Sequence, residues 1–85
     1  MTYLIEFKTS AQKELSKLHV TDYEKLVKTI FKLSEDPRPT GCKKLQGAKH
    51  LYRIRVGNFR VIYEIKDAVL TIVIIKVGDR KNIYK

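Results

Sequence analysis

The chain has 85 residues, of which 44% are hydrophobic and 32% charged, so it can form one small folded domain spanning residues 1–85. Its 18 basic and 9 acidic side chains give a net charge of +9, which favours nucleic acid, an anionic membrane or an acidic protein as partner. No membrane-spanning segment or signal peptide is predicted, since the longest nearly apolar run covers only residues 68–75 and charges interrupt the N-terminal apolar stretch. The single cysteine, Cys42, excludes an intrachain disulfide and fits the reducing cytoplasm, which is the expected location.

The first part of the chain predicts one short strand and two helices. Apolar and polar side chains alternate over residues 3–7, which is typical of a strand. Capping-box spacing at Thr9–Gln12 and Thr21–Glu24 predicts two helix starts, because such side chains satisfy unpaired backbone N–H groups. The second helix is expected to stop by Asp36, since Pro37 disfavours helical geometry in the residue before it. The expected buried stripes are Ala11, Leu15 and Leu18 on the first helix and Tyr23, Leu26, Val27, Ile30 and Leu33 on the second.

A loop is predicted to follow from Pro37 to His50. Leu45 is its expected apolar anchor. Lys43 and Lys44 are candidate substrate-binding residues that would enlarge an anion-binding surface, although solvated lysines are the favoured interpretation of this run.

Two alternating runs flank Gly57-Asn58 and predict a β-hairpin over residues 51–65 with a type II′ turn. A two-residue turn sets the register of the whole hairpin. It pairs Val56 with Phe59, Arg55 with Arg60, Ile54 with Val61 and Arg53 with Ile62. Because side chains alternate across a sheet, the hairpin has one apolar face, and Arg53, Arg55 and Arg60 share the other.

The arginine face predicts an anion site. Like charges directly opposite one another in a sheet are destabilising, so stability alone gives no reason to place Arg55 against Arg60. A phosphate would relieve the repulsion, since the planar guanidinium group matches its geometry. A solvated basic face beside a hydrophobic core is the alternative interpretation.

A nearly continuous apolar run predicts a last, central strand over Val69–Val77. Its register stays open, because a three-residue turn would put Val69, Val73 and Ile75 on the core face and a two-residue turn would reverse this. We therefore predict an α+β fold with two layers in the order β-α-α-β-β-β, an antiparallel sheet with a helical hairpin packed on one face. The arginines would lie on the uncovered face.

The chemistry that these residues offer is cationic. No His, Cys or carboxylate spacing predicts a metal site, and no glycine-rich phosphate loop predicts a nucleotide cofactor, so no cofactor is expected. Arginines beside tyrosines suit RNA, because guanidinium groups hold phosphates and aromatic rings stack on unpaired bases. The candidates are Arg53, Arg55, Arg60 and Arg80, with Tyr52 and Tyr84 as aromatic neighbours. Such a site can cleave RNA through the substrate's own 2′-OH, although arginine is a poor general base.

The hairpin at 51–65, the segment Val77-Gly-Asp-Arg-Lys-Asn-Ile-Tyr84 and Lys44-Leu-Gln-Gly47 together resemble the RelE toxins of toxin–antitoxin systems, within a wider RelE/ParE superfamily. The resemblance spans nearly the whole chain. It implies a metal-free endoribonuclease that cuts mRNA in the ribosomal A site, with contacts to 16S rRNA. It also implies a RelB-like antitoxin as partner, and contact with operator DNA only through the toxin–antitoxin complex.

The resemblance also implies roles for individual residues. Arg53 and Arg55 occupy positions that bind base or phosphate, and Arg60 matches the arginine that stabilises the transition state. Arg80 matches the arginine that protonates the leaving 5′-oxygen, and Tyr84 the tyrosine that stacks on a base. The sequence departs from the pattern in two ways. Family members often have lysine at the first two positions, and many have histidine where this chain has Asp79.

Three functions stay open at this level. The first is the mRNA-cleaving toxin, in which His50 or Tyr84 could assist proton transfer in place of the absent lysine and histidine. The second is a ParE-like protein that inhibits DNA gyrase and cleaves no RNA. The third is a catalytically degenerate module that only binds its antitoxin.

Overall fold

Five strands form one sheet, and two helices cover one of its faces, in the computed structural model, which describes residues 2–79. The elements in chain order are β1 (Leu4–Phe7), α1 (Thr9–Ser16), α2 (Val20–Lys32), β2 (Lys43–Lys44), β3 (Leu51–Val56), β4 (Phe59–Lys66), a 3-10 helix (Asp67–Val69) and β5 (Thr71–Asp79). The predicted two-layer α+β fold is confirmed, with β2 as an additional short strand.

The strands lie in the order β1-β5-β4-β3-β2. Strands β2 to β5 pair antiparallel with their neighbours, whereas β1 pairs parallel with β5 from Leu4↔Thr71 to Phe7↔Ile74. This last pair makes the sheet mixed, where the sequence predicted an antiparallel one. The reason lies in the connections. The helices and the following loop carry the chain across one face, so that β3 re-enters in the direction of β1, and the β3-β4-β5 meander then makes β5 parallel to both.

The apolar core lies between the helices and the sheet. It consists of Ala11, Leu15, Leu26, Ile30, Leu33, Ile54, Val56, Val61, Tyr63, Ile65, Ile72, Ile74 and Val77. Most of the predicted helix stripes are therefore confirmed. Tyr23 is an exception at 43% exposure, because the buried part of α2 begins only at Leu26.

Both helices begin earlier than the predicted capping boxes. The N-cap residues are Lys8 and His19, and neither makes a side-chain capping hydrogen bond. At α1 the reason is the direct passage from strand to helix. The Lys8 N–H donates to the Ile74 carbonyl oxygen at 2.9 Å, while the Lys8 carbonyl oxygen accepts from the Gln12 N–H at 3.0 Å. Lys8 thus closes the parallel ladder and opens the helix, which leaves Thr9 inside it.

The last strand begins at Thr71 rather than Val69. The chain turns through the 3-10 helix and Leu70, whose φ of 47° is left-handed, and Val69 is 64% exposed. The core face of β5 therefore carries Ile72 and Ile74, and the register expected from a three-residue turn is wrong.

A β-bulge then shifts the alternation on β5. Tyr63 pairs with Ile74, whereas the neighbouring Ile62 pairs with Lys76, so that Ile75 is the additional residue. Val77 returns to the core as a result. Among the helices of residues 2–79, none is both long enough and apolar enough to cross a membrane.

Candidate functional site

The hairpin of β3 and β4 has the predicted register. All four predicted pairs are present, including Arg55↔Arg60 and Arg53↔Ile62, and Gly57 in the turn has a φ of 61°. Directly paired residues point to the same side of a sheet. Since Ile54 and Val61 lie in the core, Arg53, Arg55 and Arg60 lie on the face away from the helices.

Two further cations share that face. Lys43 on β2 pairs with Arg53, and Lys76 on β5 pairs with Ile62. Neighbouring strands are about 5 Å apart, so one row of side chains runs across four strands and the Arg55–Arg60 pair lies in the adjacent row. We call Lys43, Arg53, Arg55, Arg60 and Lys76 the cationic face.

The members of the cationic face differ in exposure. Lys43, Arg55 and Lys76 are exposed, Arg53 is half-buried, and Arg60 has only 6% of its surface exposed. Burial restricts the rotamers of Arg60, so the charge at the centre of the face is held in place, whereas Lys43, Arg55 and Lys76 around it are exposed. A central donor held in this way suits an anion that must be bound in one orientation.

Lys76 is a member that the sequence reasoning missed. Strict alternation from Ile72 and Ile74 would place Lys76 in the core, and the bulge at Ile75 places it on the cationic face instead. The sequence nevertheless contained a sign that the alternation changes here. An unpaired lysine is very costly in an apolar core, so the alternation had to change between Ile74 and Val77.

Lys44 and Tyr52, both predicted to bind substrate, are not brought together with the arginines. Tyr52 pairs with Tyr63 and Lys44 with Tyr52, which puts all three on the helix side of the sheet. The Tyr52 and Tyr63 rings stack with their centroids 6.1 Å apart. The predicted hairpin register already implied this position for Tyr52, since residues two apart on a strand share a face and Ile54 lies in the core.

Tyr52 belongs instead to a polar cluster around Arg38. The Arg38 guanidinium lies over the Tyr52 ring at 5.2 Å and donates to its hydroxyl at 3.3 Å. It also forms an ion pair with Asp67 at 2.9 Å, and Tyr3 donates to the same carboxylate at 2.6 Å. Chiefly because of Arg38 and then Tyr3, the pKa of the Asp67 carboxyl lies below its usual value. The cluster ties the loop after α2 to β1 and to the β4–β5 turn.

A cleft of about 640 Å³ adjoins the cationic face between α2, the loop after it and the open edge of β3. Lys43, Arg53 and Arg55 line it on the sheet side, and Leu33 and Ile54 contribute apolar wall. It leaves space beside the arginines for a group attached to a bound anion.

Arg80 and Tyr84, the remaining predicted site residues, lie outside the described residues, and their roles stay predictions. Within residues 2–79, no three His, Cys, Asp or Glu side chains are grouped so that they could hold a metal ion.

Comparison with known proteins identifies the family. The family described as the ParE toxin of the type II toxin–antitoxin system parDE matches residues 5–84. The mRNA interferase toxin RelE of Escherichia coli K12 is 32% identical over 84 residues, which cover 96% of this chain and 87% of that protein. Toxin RelG of Mycobacterium tuberculosis is 31% identical over 86 residues, covering 100% of this chain and 99% of that protein.

A solved structure shows the same fold. The RelE chain of the archaeal RelE–RelB complex from Pyrococcus horikoshii OT3 superposes with a TM-score of 0.84 at 30% identity, covering 96% of this chain and 99% of that chain. The resemblance inferred from the hairpin is thereby confirmed over nearly the full length. This chain belongs to the RelE/ParE family of toxins of type II toxin–antitoxin systems.

Proposed function

We propose that this toxin is an endoribonuclease that cleaves messenger RNA and that a RelB-like antitoxin neutralises it. The proposal depends above all on one observation. Arg55 lies directly opposite Arg60 at the centre of a cationic face, in a chain whose E. coli relative is named an mRNA interferase. Arginines in this arrangement suit the phosphates of a polynucleotide, because the planar guanidinium group matches the geometry of a phosphate.

The proposed reaction uses the 2′-OH of the substrate as nucleophile. Its oxygen attacks the adjacent phosphorus, the bond from phosphorus to the 5′-oxygen breaks, and a 2′,3′-cyclic phosphate and a 5′-OH result. Negative charge grows on the non-bridging oxygens, where the Arg60 guanidinium stabilises it because burial holds that group in position. Arg53 and Arg55 bind the phosphates on either side and align the attacking oxygen with the bond that breaks.

The proposed place of cleavage is the ribosomal A site, in the cytoplasm. There 16S rRNA offers further phosphates to the exposed Lys43 of the cationic face, and the codon presents unpaired bases. In this proposal Tyr84 stacks on one of those bases and Arg80 adds a second cation at the reacting phosphate.

The proposed antitoxin recognises the same face. The RelE relative from Pyrococcus was crystallised with RelB, and a net charge of +9 on this chain favours an acidic partner. Covering Arg55 and Arg60 with carboxylates would remove the anion site. Operator DNA would then be contacted only through the complex.

The test is expression without the antitoxin, followed by primer extension on a message with and without a functional start codon. We expect cleavage inside the reading frame only when the message is translated, together with growth arrest. Arg60→Ala and Arg80→Ala should each abolish both effects while the circular dichroism spectrum of each protein stays that of the folded toxin. Normal cleavage by both variants would contradict the site.

A ParE-like activity is the second candidate, because the matching family is described by the ParE toxin. A gyrase inhibitor would cause DNA breaks and an SOS response while the messages stay intact. Growth arrest with that pattern would overturn the ribonuclease proposal. Absence of any growth arrest would identify a chain that only binds its antitoxin.

A further inference from the structure

We propose that Lys76 is the general acid of this site and donates a proton to the leaving 5′-oxygen. This inference depends on the proposed ribonuclease function. It gives a catalytic task to a residue that the bulge on β5 brings onto the cationic face.

The bulge is the structural reason for the proposal. Bulges redirect a strand's side chains and are frequent beside active sites. Here Ile75 is the extra residue opposite the Ile62–Tyr63 step. As a result the Lys76 side chain lies on the side of the sheet that carries Arg60 rather than on the core side. An α+β sheet could bury Ile74 and Val77 without placing any charge between them. The chain instead has an exposed lysine there.

The position of Lys76 fits contact with the same phosphate as the arginines. Lys76 pairs with Ile62, and Arg60 pairs with Gly78, so Lys76 and Arg60 are diagonal neighbours across β4 and β5. Diagonal neighbours lie about 7–8 Å apart at their Cα atoms, which is within reach of two long side chains. Gly78, the residue paired with Arg60, carries no side chain beyond a hydrogen, so the next side chain of β5 on this face is that of Lys76.

The chemistry selects the amine over the guanidinium groups. The usual pKa of lysine is about 10.4, whereas the pKa of arginine is higher and its guanidinium group stays protonated in proteins. An ammonium group is therefore the stronger acid and still carries its proton at neutral pH. Lys43 also has an amine, but it lies on β2 opposite Arg53, two strands away from Arg60 on β4.

The proposed step transfers one proton from Lys76 to the leaving oxygen. The 2′-oxygen forms its bond to phosphorus and releases its proton to solvent, while the electron pair of the breaking bond moves to the 5′-oxygen. Lys76 Nζ transfers one proton to that oxygen, giving the 5′-OH, and the neutral amine regains a proton from water. Lys76 thereby takes on the proton donation that the family resemblance implies for Arg80.

The decisive experiment uses a leaving group that needs no proton. Ribosomes are programmed with a short message whose cleaved linkage carries either the natural 5′-oxygen or a bridging 5′-sulfur, and single-turnover rates are measured. A thiolate leaves unprotonated, so loss of a general acid slows only the oxygen substrate. We expect Lys76→Ala and Lys76→Arg to cut the oxygen substrate about 100-fold or more slowly, the usual scale for acid catalysis. On the sulfur substrate both should match the unaltered protein within a few-fold.

Lys66→Ala is the matched control. Lys66 lies on the same face of β4, about 13 Å along the strand from Ile62, and its loss changes the net charge by the same amount. It should leave both rates unchanged. Chemical denaturation and antitoxin binding of each variant verify the fold.

Three results would overturn the assignment. Lys76→Ala could cleave both substrates normally, it could slow both equally, or Lys76→Arg could restore the oxygen substrate, which would mean that charge alone matters. These results are distinct from failure of the ribonuclease proposal itself, in which the unaltered protein cleaves neither substrate.

Discussion

The two faces of the sheet are built from the same strands and have opposite properties. On the helix side Val61, Tyr63, Ile65, Ile72 and Ile74 are almost completely buried. On the other side the same β4 carries Arg60, Ile62, Glu64 and Lys66, and β5 carries Lys76. Alternation therefore assigns stability to one face and ligand chemistry to the other. Substitutions one residue apart are expected to separate the two properties.

Charge is distributed unevenly over the side of the sheet away from the helices. The residues of the cationic face lie toward the Gly57 turn, whereas Glu64 and Glu6 flank Val73 farther along. A polyanion is consequently attracted to the end of the face that carries Arg55 and Arg60, rather than to the whole surface.

The largest expected effect comes from placing the same carboxylate on each face. Ile74→Asp buries a charge in the core, where Ile74 has no exposed surface, and the cost of several kcal/mol is comparable to a total stability of about 5–15 kcal/mol. We expect it to prevent folding. Ile62→Asp puts the carboxylate among cations, so this variant should fold and lose cleavage. Circular dichroism with chemical denaturation distinguishes the two, and a folded Ile74→Asp would contradict the assignment of the core.

The next effect is on the rate of cleavage. Arg60→Gln keeps much of the side-chain volume and removes the charge that stabilises the transition state. Loss of one such donor typically slows a reaction about 100- to 1000-fold. We expect that decrease in single-turnover cleavage on programmed ribosomes. The measurement counts against the central role of Arg60 if the rate falls less than about tenfold while the denaturation curve is unchanged.

A smaller effect on stability is expected on the helix side. The Tyr63 hydroxyl, whose pKa burial raises, donates to the Pro37 carbonyl oxygen at 2.8 Å. Tyr63→Phe removes the donor and should cost about 1 kcal/mol, or about 4–8 °C in Tm for a domain of this size. Differential scanning calorimetry measures it. Tyr23→Phe, at a position with 43% exposure, is the matched control and should leave Tm unchanged.

The smallest effect is a pH dependence at the edge of the core. Arg38 and Tyr3 lower the pKa of Asp67, so its contribution to stability is complete above the usual pKa near 4 and is lost as pH falls through the lowered value. Asp67→Asn should lower Tm slightly at neutral pH, and the difference should vanish in acid. High salt should also reduce it, because the pair is exposed. A Tm difference that does not change with pH would contradict this account.

The local parts of this structure were predictable. A two-residue turn at Gly57-Asn58 sets the hairpin register without reference to the rest of the chain, so the placing of Arg53, Arg55 and Arg60 on one face followed from the sequence. The helix stripes at Leu15, Leu26 and Ile30 also follow from spacing alone.

Contacts between distant residues were not predictable in the same way. The parallel pairing of β1 with β5 joins residues more than sixty positions apart, and it moves the start of α1 to a residue that no capping pattern marks. The place of the bulge depends on how β4 and β5 pack against the helices together. Short-range chemistry in the sequence thus determined which arginines share a face. Only the packed sheet fixed the position of the bulge that brings Lys76 to them, because a change of one residue in strand register reverses the direction of each side chain beyond it.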